Sequence, residues 1–167
     1  ALARIVAEEL EANWDDVRIN HVDTEAKFGL FVTGGSWSVW QNFDLLSRAG
    51  AAGRASLIEE GAKLLGENPS DCVAENSFVV CKGKRISFGD IVAKGDLSRA
   101  YTDDQLAALP IKARKDRKLV GVRTAAIDIP AKVDGSTVYG IDATYPGMVY
   151  AKPMMPPTRH GLSLIHI

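Results

Sequence analysis

The stretch Thr33-Gly34-Gly35-Ser36-Trp37-Ser38 precedes a run able to form one helix from Val39 to about Leu65. Glycines permit a sharp turn and a close approach of the backbone to a ligand, and a helix that begins here offers unpaired N–H groups and the positive end of its dipole. These features suit a phosphate or a pyrophosphate. The same pattern is also typical of a turn followed by an ordinary helix N-cap, so the pattern alone does not distinguish a phosphate site from a structural turn.

Two helices are predicted in the first 65 residues. Hydrophobic residues at helical spacing over residues 1–12 predict an amphipathic helix, and Val17 and Ile19 alternate as a half-buried strand that ends near His21. Within the long helix, Gly50 and Gly53 each cost about 1 kcal/mol relative to alanine, which indicates that another element packs unusually close to them.

The middle of the chain predicts a small sheet and two short helices. A hairpin is expected around Asn76-Ser77, followed by a turn at Gly83 and a strand near Arg85-Ile86. Ser87 with Asp90 three residues later resembles a capping box that opens a helix to about Lys94, and a further turn of helix is expected after Thr102. The basic run at residues 112–118 is typical of a solvated linker, with docking of an acidic partner as the alternative.

Whether the two cysteines face each other depends on the register of the hairpin. A two-residue loop at Asn76-Ser77 places Cys72 opposite Cys81 at a non-hydrogen-bonded position, where Cα atoms lie about 4.5 Å apart. A disulfide is then feasible in an oxidising compartment. A three-residue loop would shift the register and leave two separately buried thiols, so both outcomes stay open.

Residues 122–161 are predicted to be strand-like. Alternating segments occur at residues 127–129, 137–141 and 148–151, with a turn signal at Pro146-Gly147.

Composition excludes some classes of function. The 167 residues are 46% hydrophobic and 25% charged with a formal charge of −1, which is ordinary for a globular protein and removes the electrostatic argument for a nucleic-acid partner. No apolar run reaches the roughly 18 residues that a membrane span requires. No His or Cys spacing is that of a zinc or iron–sulfur site.

Four segments in the same order resemble the large, molybdenum-cofactor-binding subunit of the xanthine dehydrogenase and aldehyde oxidase family, in particular its isoquinoline oxidoreductase and membrane-associated aldehyde dehydrogenase branch. The likeness spans residues 1–161, and its segments are residues 7–19, 33–39, 47–54 and 129–151. Because that subunit is several times longer than this chain, the resemblance implies an internal fragment. Residues 162–167 match nothing in the family and are expected to be a non-native tail.

The resemblance implies an α+β fold. Residues 1–109 would be part of a molybdopterin-binding domain with one long helix, residues 110–121 a linker, and residues 122–161 the start of an α/β hammerhead-like domain. The cofactor would be molybdopterin with molybdenum, in the cytosine dinucleotide form.

The site residues implied by the resemblance are those of the glycine stretch. Gly34 and Gly35 would lie near the pterin, Ser36 and Ser38 with the adjoining N–H groups would bind the pyrophosphate or nucleotide, and Thr33 would support the turn. Trp37 replaces the smaller residue that the family pattern leads us to expect. No catalytic residue and no metal ligand is assigned within this chain, and Glu8, Glu9, Glu59 and Glu60 are interpreted as solvated helix-surface pairs.

The parent protein would then be a molybdenum hydroxylase that oxidises an aldehyde or an N-heterocycle. It would pass electrons to a small subunit carrying iron–sulfur clusters and onward to an acceptor such as cytochrome c. The branch resembled favours the periplasm, with the cytoplasm as the alternative, and the isolated fragment is expected to be inactive. A different class, a non-catalytic phosphate- or nucleotide-binding module, would use the same glycine turn; a Rossmann site is disfavoured because no Gly-x-Gly-x-x-Gly stands between a strand and a helix.

Overall fold

The computed structural model describes residues 1–20, 22, 25–29, 32 and 34–161. The chain divides into two compact units, the first from Ala1 to Thr124 and the second from Ala125 onward. The predicted α+β class is confirmed at this level, because unit 1 combines helices with a small antiparallel sheet. The predicted tail at 162–167 lies outside the described residues.

Unit 1 is organised around a 23-residue helix. Helix α1 (Leu2–Leu10) packs on α3 (Phe43–Leu65), and a one-turn helix α2 (Trp37–Trp40) precedes α3. Gly50 faces α1 so closely that a Cβ there would lie 2.8 Å from both Glu9 Cβ and the Val6 carbonyl oxygen. The close approach predicted from the small residues of the long helix is therefore confirmed.

A three-stranded antiparallel sheet in the order β1-β2-β3 packs against α3. Its strands are β1 (Cys72–Glu75), β2 (Phe78–Cys81) and β3 (Lys84–Ser87). The core at this junction contains apolar side chains from the helix, the sheet and α4 (Phe88–Lys94); its buried members are Leu57, Ala62, Cys72, Val79, Cys81 and Ile91.

The hairpin loop consists of two residues, as the sequence predicted. Asn76 and Ser77 both have positive φ, 50° and 66°, which is the conformation of a type I′ turn between twisted strands. Ser77 also joins three elements. Its N–H donates to the Glu11 carbonyl at 2.9 Å, its Oγ accepts from the Asn13 N–H at 2.8 Å, and its carbonyl accepts from the Phe88 N–H at 2.9 Å. The hairpin tip is thus tied to the end of α1 and to the start of α4.

The register places Cys72 opposite Cys81, and the two are joined by a disulfide with Cα atoms 4.3 Å apart. Of the two outcomes left open by the sequence, the structure has the bonded one. Both cysteines are buried, Cys81 completely.

Two further local predictions are confirmed. Ser87 caps α4 by accepting the N–H of Asp90 at 3.0 Å, and α5 (Asp103–Ala108) begins after Thr102 in a reciprocal capping box with Gln105. Arg48 of α3 donates to the carbonyls of Leu106 and Ala107 at the end of α5, which fixes α5 to the long helix.

The predicted strand after α1 is wrong. Residues 14–16 form a 3-10 turn capped by Asn13, and residues 17–20 are irregular. His21 lies outside the described residues. The alternating pattern fails here because a strand needs a hydrogen-bonded neighbour, and the sheet of unit 1 takes its three strands from residues 72–87.

The strands predicted at residues 127–129, 137–141 and 148–151 are also wrong. The described part of unit 2 has a short helix α6 (Ile129–Val133) and a 3-10 turn (Gly140–Asp142). Pro130 suits the first turn of a helix, and the Tyr139 N–H is taken by the Asp142 carboxylate at 3.1 Å. Residues 125–161 contain no strand that could pair with the apolar segments.

Candidate functional site

The glycine stretch forms an exposed turn before α2. Residues 34–38 are all exposed, and the Trp37 N–H closes the turn on the Gly34 carbonyl at 3.1 Å. Gly35 and Ser36 have positive φ, 51° and 57°. The turn is therefore sharp and open to solvent, with Thr33 outside the described residues.

The Trp37 side chain covers one face of this turn. A Cβ at position 35 would lie 2.3 Å from Trp37 Nε1, so the indole occupies the space that a side chain would need. Gly34 is open by comparison, since a Cβ there would meet only a Val32 methyl at 3.9 Å. A ligand would consequently approach the backbone at Gly34 rather than on the indole face of Gly35.

The turn opens a one-turn helix rather than the predicted long one. The chain leaves the helix at Gln41-Asn42, where the Asn42 side-chain amide donates to the Ser38 carbonyl at 3.0 Å, and α3 begins at Phe43. Asparagine competes for backbone groups in this way and favours helix ends. The predicted continuous helix from Val39 is wrong at its start, and the strong dipole of α3 is displaced from the serines by one turn.

The groups at the turn are of the kind that binds a pyrophosphate. Among the described residues, none bonds to the hydroxyls of Ser36 and Ser38, which are exposed beside an accessible backbone at Gly34. Exposed hydroxyls and accessible backbone are groups that can contact a phosphate. The roles assigned to residues 33–38 stay predictions.

The acidic residues of α1 are not solvated, contrary to the sequence interpretation. Glu8 and Glu9 are each only 2% exposed. The Glu8 carboxylate accepts the N–H groups of Lys118, Leu119 and Val120 at 2.6–3.0 Å and the Lys112 ammonium at 2.8 Å. Burial raises the pKa of Glu8, but the hydrogen bonds from Lys112 and from the three N–H groups outweigh it and lower the pKa to about 2.

Glu9 and Glu60 are also buried, whereas Glu59 remains at the surface and pairs with Arg99. Glu9 accepts the Lys112 N–H at 3.0 Å and lies 3.7 Å from Arg54. One signal was available in the sequence: Glu9 follows Ile5 by four positions and so lies on the apolar stripe of α1. The partners carried no such signal, since Arg54 and Lys112 lie 45 and 103 positions further along the chain.

The part of the chain that the structure describes contains neither a metal-binding cluster nor a membrane-spanning helix. No group of three or more His, Cys, Asp or Glu side chains there is arranged to hold a metal ion. No helix in that part is long and apolar enough to cross a membrane.

Unit 1 is an α+β unit of helices and a small antiparallel sheet, and it carries an exposed glycine-serine turn. The model of the molybdopterin cofactor-binding domain family matches residues 1–124. This chain belongs to that family, as the resemblance predicted. The match ends at the residue where unit 1 ends.

Three curated relatives are similar over nearly the whole chain. A membrane-bound aldehyde dehydrogenase [pyrroloquinoline-quinone] of Gluconacetobacter polyoxogenes is 56% identical over 96% of this chain. The beta subunit of isoquinoline 1-oxidoreductase of Brevundimonas diminuta is 29% identical over 90%, and the B subunit of nicotinate dehydrogenase of Pseudomonas putida is 32% identical over 94%. The chain spans only 21%, 24% and 13% of their respective lengths.

Proposed function

We propose that this chain is part of the cofactor-binding subunit of a molybdenum hydroxylase that oxidises aldehydes. The observation that carries the proposal is the family match over residues 1–124, joined to 56% identity with a protein named as an aldehyde dehydrogenase. The N-heterocycles in the names of the other two relatives are the second substrate class. When bound, the molybdenum cofactor supplies the redox chemistry, and the protein binds and orients it.

In this proposal the glycine-serine turn contacts the pyrophosphate or the cytosine nucleotide of the cofactor. Gly34 lets the backbone approach, and the Ser36 and Ser38 hydroxyls donate to phosphate oxygens. Thr33 supports the turn. Trp37 shields the other face of Gly35, which restricts the ligand to the serine side. The catalytic residues are assigned to parts of the parent protein beyond this chain, so residues 1–167 alone are expected to bind no molybdenum and to oxidise no aldehyde.

The proposed partners are a small iron–sulfur subunit and a terminal acceptor such as cytochrome c. Two of the relatives are named as single subunits of their enzymes, which supports a multi-subunit assembly. Residues 125–161 are proposed to contribute to a hammerhead-like domain, whose strands would be completed by pairing with other segments of the parent. The division at residues 110–121 stays a prediction.

The periplasm is the proposed compartment, and the Cys72–Cys81 disulfide supports it. Structural disulfides persist in oxidising compartments and are rare in the cytosol. When cells are quenched with acid and treated with an alkylating reagent, the protein in the periplasmic fraction should have both cysteines unlabelled, because they are joined in the disulfide. Free thiols in the protein of intact cells would favour the cytoplasm.

The decisive experiment is metal and nucleotide analysis of the purified parent protein. We expect about one molybdenum per chain, release of a cytosine nucleotide on acid hydrolysis, and aldehyde oxidation. The double variant Ser36→Ala/Ser38→Ala should lower the molybdenum content severalfold, while Ser98→Ala, at another exposed serine, should not. Pyrroloquinoline quinone in place of molybdenum, or a bound nucleotide without any redox group, would refute the proposal; the second result would identify a nucleotide-binding module.

A further inference from the structure

Residues 111–120, here called the strap, have little regular structure of their own. They contain one 3-10 turn (Arg114–Asp116) and run between α5 and the end of unit 1. The strap starts from a fixed point, because Arg54 of α3 donates to the Pro110 carbonyl at 3.1 Å. Among the described residues, no backbone–backbone hydrogen bond joins the strap to the rest of unit 1. Bonds that involve side chains therefore hold it in place.

The main contact is the Glu8 carboxylate. It accepts three consecutive N–H groups of the strap, from Lys118 to Val120, and the Lys112 ammonium at its other end. Glu9 accepts the N–H of Lys112. Four backbone donors of the strap thus have carboxylates of α1 as their acceptors.

Other contacts flank this one, and among them the Arg4 guanidinium of α1 donates to the Leu119 carbonyl. The Arg117 guanidinium lies 5.0 Å from the centre of the Phe43 ring, and Lys118 pairs with Glu11 at 3.1 Å. Residues 113–116 have no such anchor among the described residues and are exposed. The basic run seen in the sequence is therefore divided: Lys112 and Lys118 contact acidic residues of α1, whereas Arg114 and Lys115 face solvent.

Loss of the Glu8 carboxylate is expected to weaken the attachment of the strap more than loss of any other single side chain. A buried carboxylate with four donors is stable, but removing its charge leaves several donors without an adequate acceptor, and breaking a buried pair by removing one partner is strongly unfavourable. The strap has few apolar contacts of its own to offset that loss: its only large apolar residues are Ile111, Leu119 and Val120, and all three are half-buried.

We propose that the strap is a latched segment that opens as a unit while the rest of unit 1 stays folded, and that the Glu8 carboxylate is the latch. When the strap is closed, residues 121–124 lie between it and unit 2, and Arg4 of α1 donates to the Val122 carbonyl at 2.8 Å. When it is open, residues 111–124 become free chain, which can extend about 3.3–3.6 Å per residue. The latch therefore sets the length of the tether between the two units, and opening lets the backbone at residues 114–118 unfold locally into the extended form that a protease cleaves. The inference does not depend on the cofactor proposal.

The test is hydrogen exchange and limited trypsin digestion of the full 167-residue chain. In Glu8→Gln, amides 118–120 should exchange about tenfold faster or more, and trypsin should cut at residues 114–118 correspondingly faster, while the β2 amides of Val79 and Cys81 keep their protection. Glu59→Gln, which removes an exposed carboxylate paired with Arg99, is the matched control and should change neither readout. Unchanged exchange at residues 118–120 in Glu8→Gln would overturn the proposal.

A second measurement covers the case in which Glu8→Gln unfolds. In the unsubstituted chain at increasing sub-denaturing urea, amides 118–120 should exchange through an opening with a smaller urea dependence than the β2 amides, because less surface is exposed. If both sets of amides exchange through the same global opening, no separate strap opening exists and the proposal fails.

Discussion

Gly50 provides a sharp test of how α1 packs on α3. In Gly50→Ala the new methyl group would lie 2.8 Å from Glu9 Cβ and from the Val6 carbonyl oxygen. Both atoms are close to the backbone of α1, so the clash is relieved only if one helix moves. Overpacking of this kind costs about 1–3 kcal/mol, and the better helix propensity of alanine returns up to about 1 kcal/mol. The expected net loss in the free energy of unfolding is about 1–2 kcal/mol.

Gly89→Ala is the matched control. Gly89 lies in α4, is exposed, and a Cβ there would meet only Ser87 Oγ at 3.9 Å. The propensity gain then stands alone, and the free energy of unfolding should be unchanged or raised by up to about 1 kcal/mol. Urea unfolding followed by far-UV circular dichroism measures both variants. If Gly50→Ala proved as stable as the unsubstituted chain, the close contact between α1 and α3 would be wrong.

Three other outcomes are expected. Because Glu8 has a folded pKa of about 2 against its usual 4.5, its contribution to stability is complete above about pH 5 and is lost as the pH falls towards 2. Linkage gives an upper bound of about 3 kcal/mol for this contribution, and Glu8→Gln should flatten the pH dependence of the free energy of unfolding over this range, measured by urea unfolding. Reduction with dithiothreitol should lower the free energy of unfolding by about 2–3 kcal/mol through the loop closed by Cys72 and Cys81, and a Cys72→Ser/Cys81→Ser variant should not respond to the reductant. Ser87→Ala should cost about 1 kcal/mol and speed hydrogen exchange in the first turn of α4, whereas equal exchange would contradict its role as the cap.

Features set by short stretches of sequence were predictable. The two-residue loop at Asn76-Ser77 fixed the strand register and with it the opposition of the cysteines, and the caps at Ser87 and Thr102 placed two helices. Each depends on residues within a few positions of one another, where local geometry leaves few alternatives.

Features that depend on distant partners were not predictable. The sequence predicts that Glu8 is a surface residue, because the strap amides that bond to it lie 110–112 positions further along the chain. The long helix breaks at Gln41-Asn42, where the Asn42 side chain bonds the Ser38 carbonyl, and the strands expected within residues 125–161 have no pairing partner among the described residues. At the candidate site, the sequence identified donors suited to a phosphate, but not that the Trp37 indole would cover Gly35.

Ser77 has a consequence for engineering the chain. Hairpin tips are usually good places to insert a tag or a second domain, because few contacts depend on them. Here the tip carries three hydrogen bonds to other segments, so an insertion between Asn76 and Ser77 is expected to disturb the bonds that tie the hairpin to the end of α1 and to the start of α4. The turn at Lys82-Gly83, which is exposed and has no heavy atom within 4 Å of a Cβ built on Gly83, is the permissive site of this sheet.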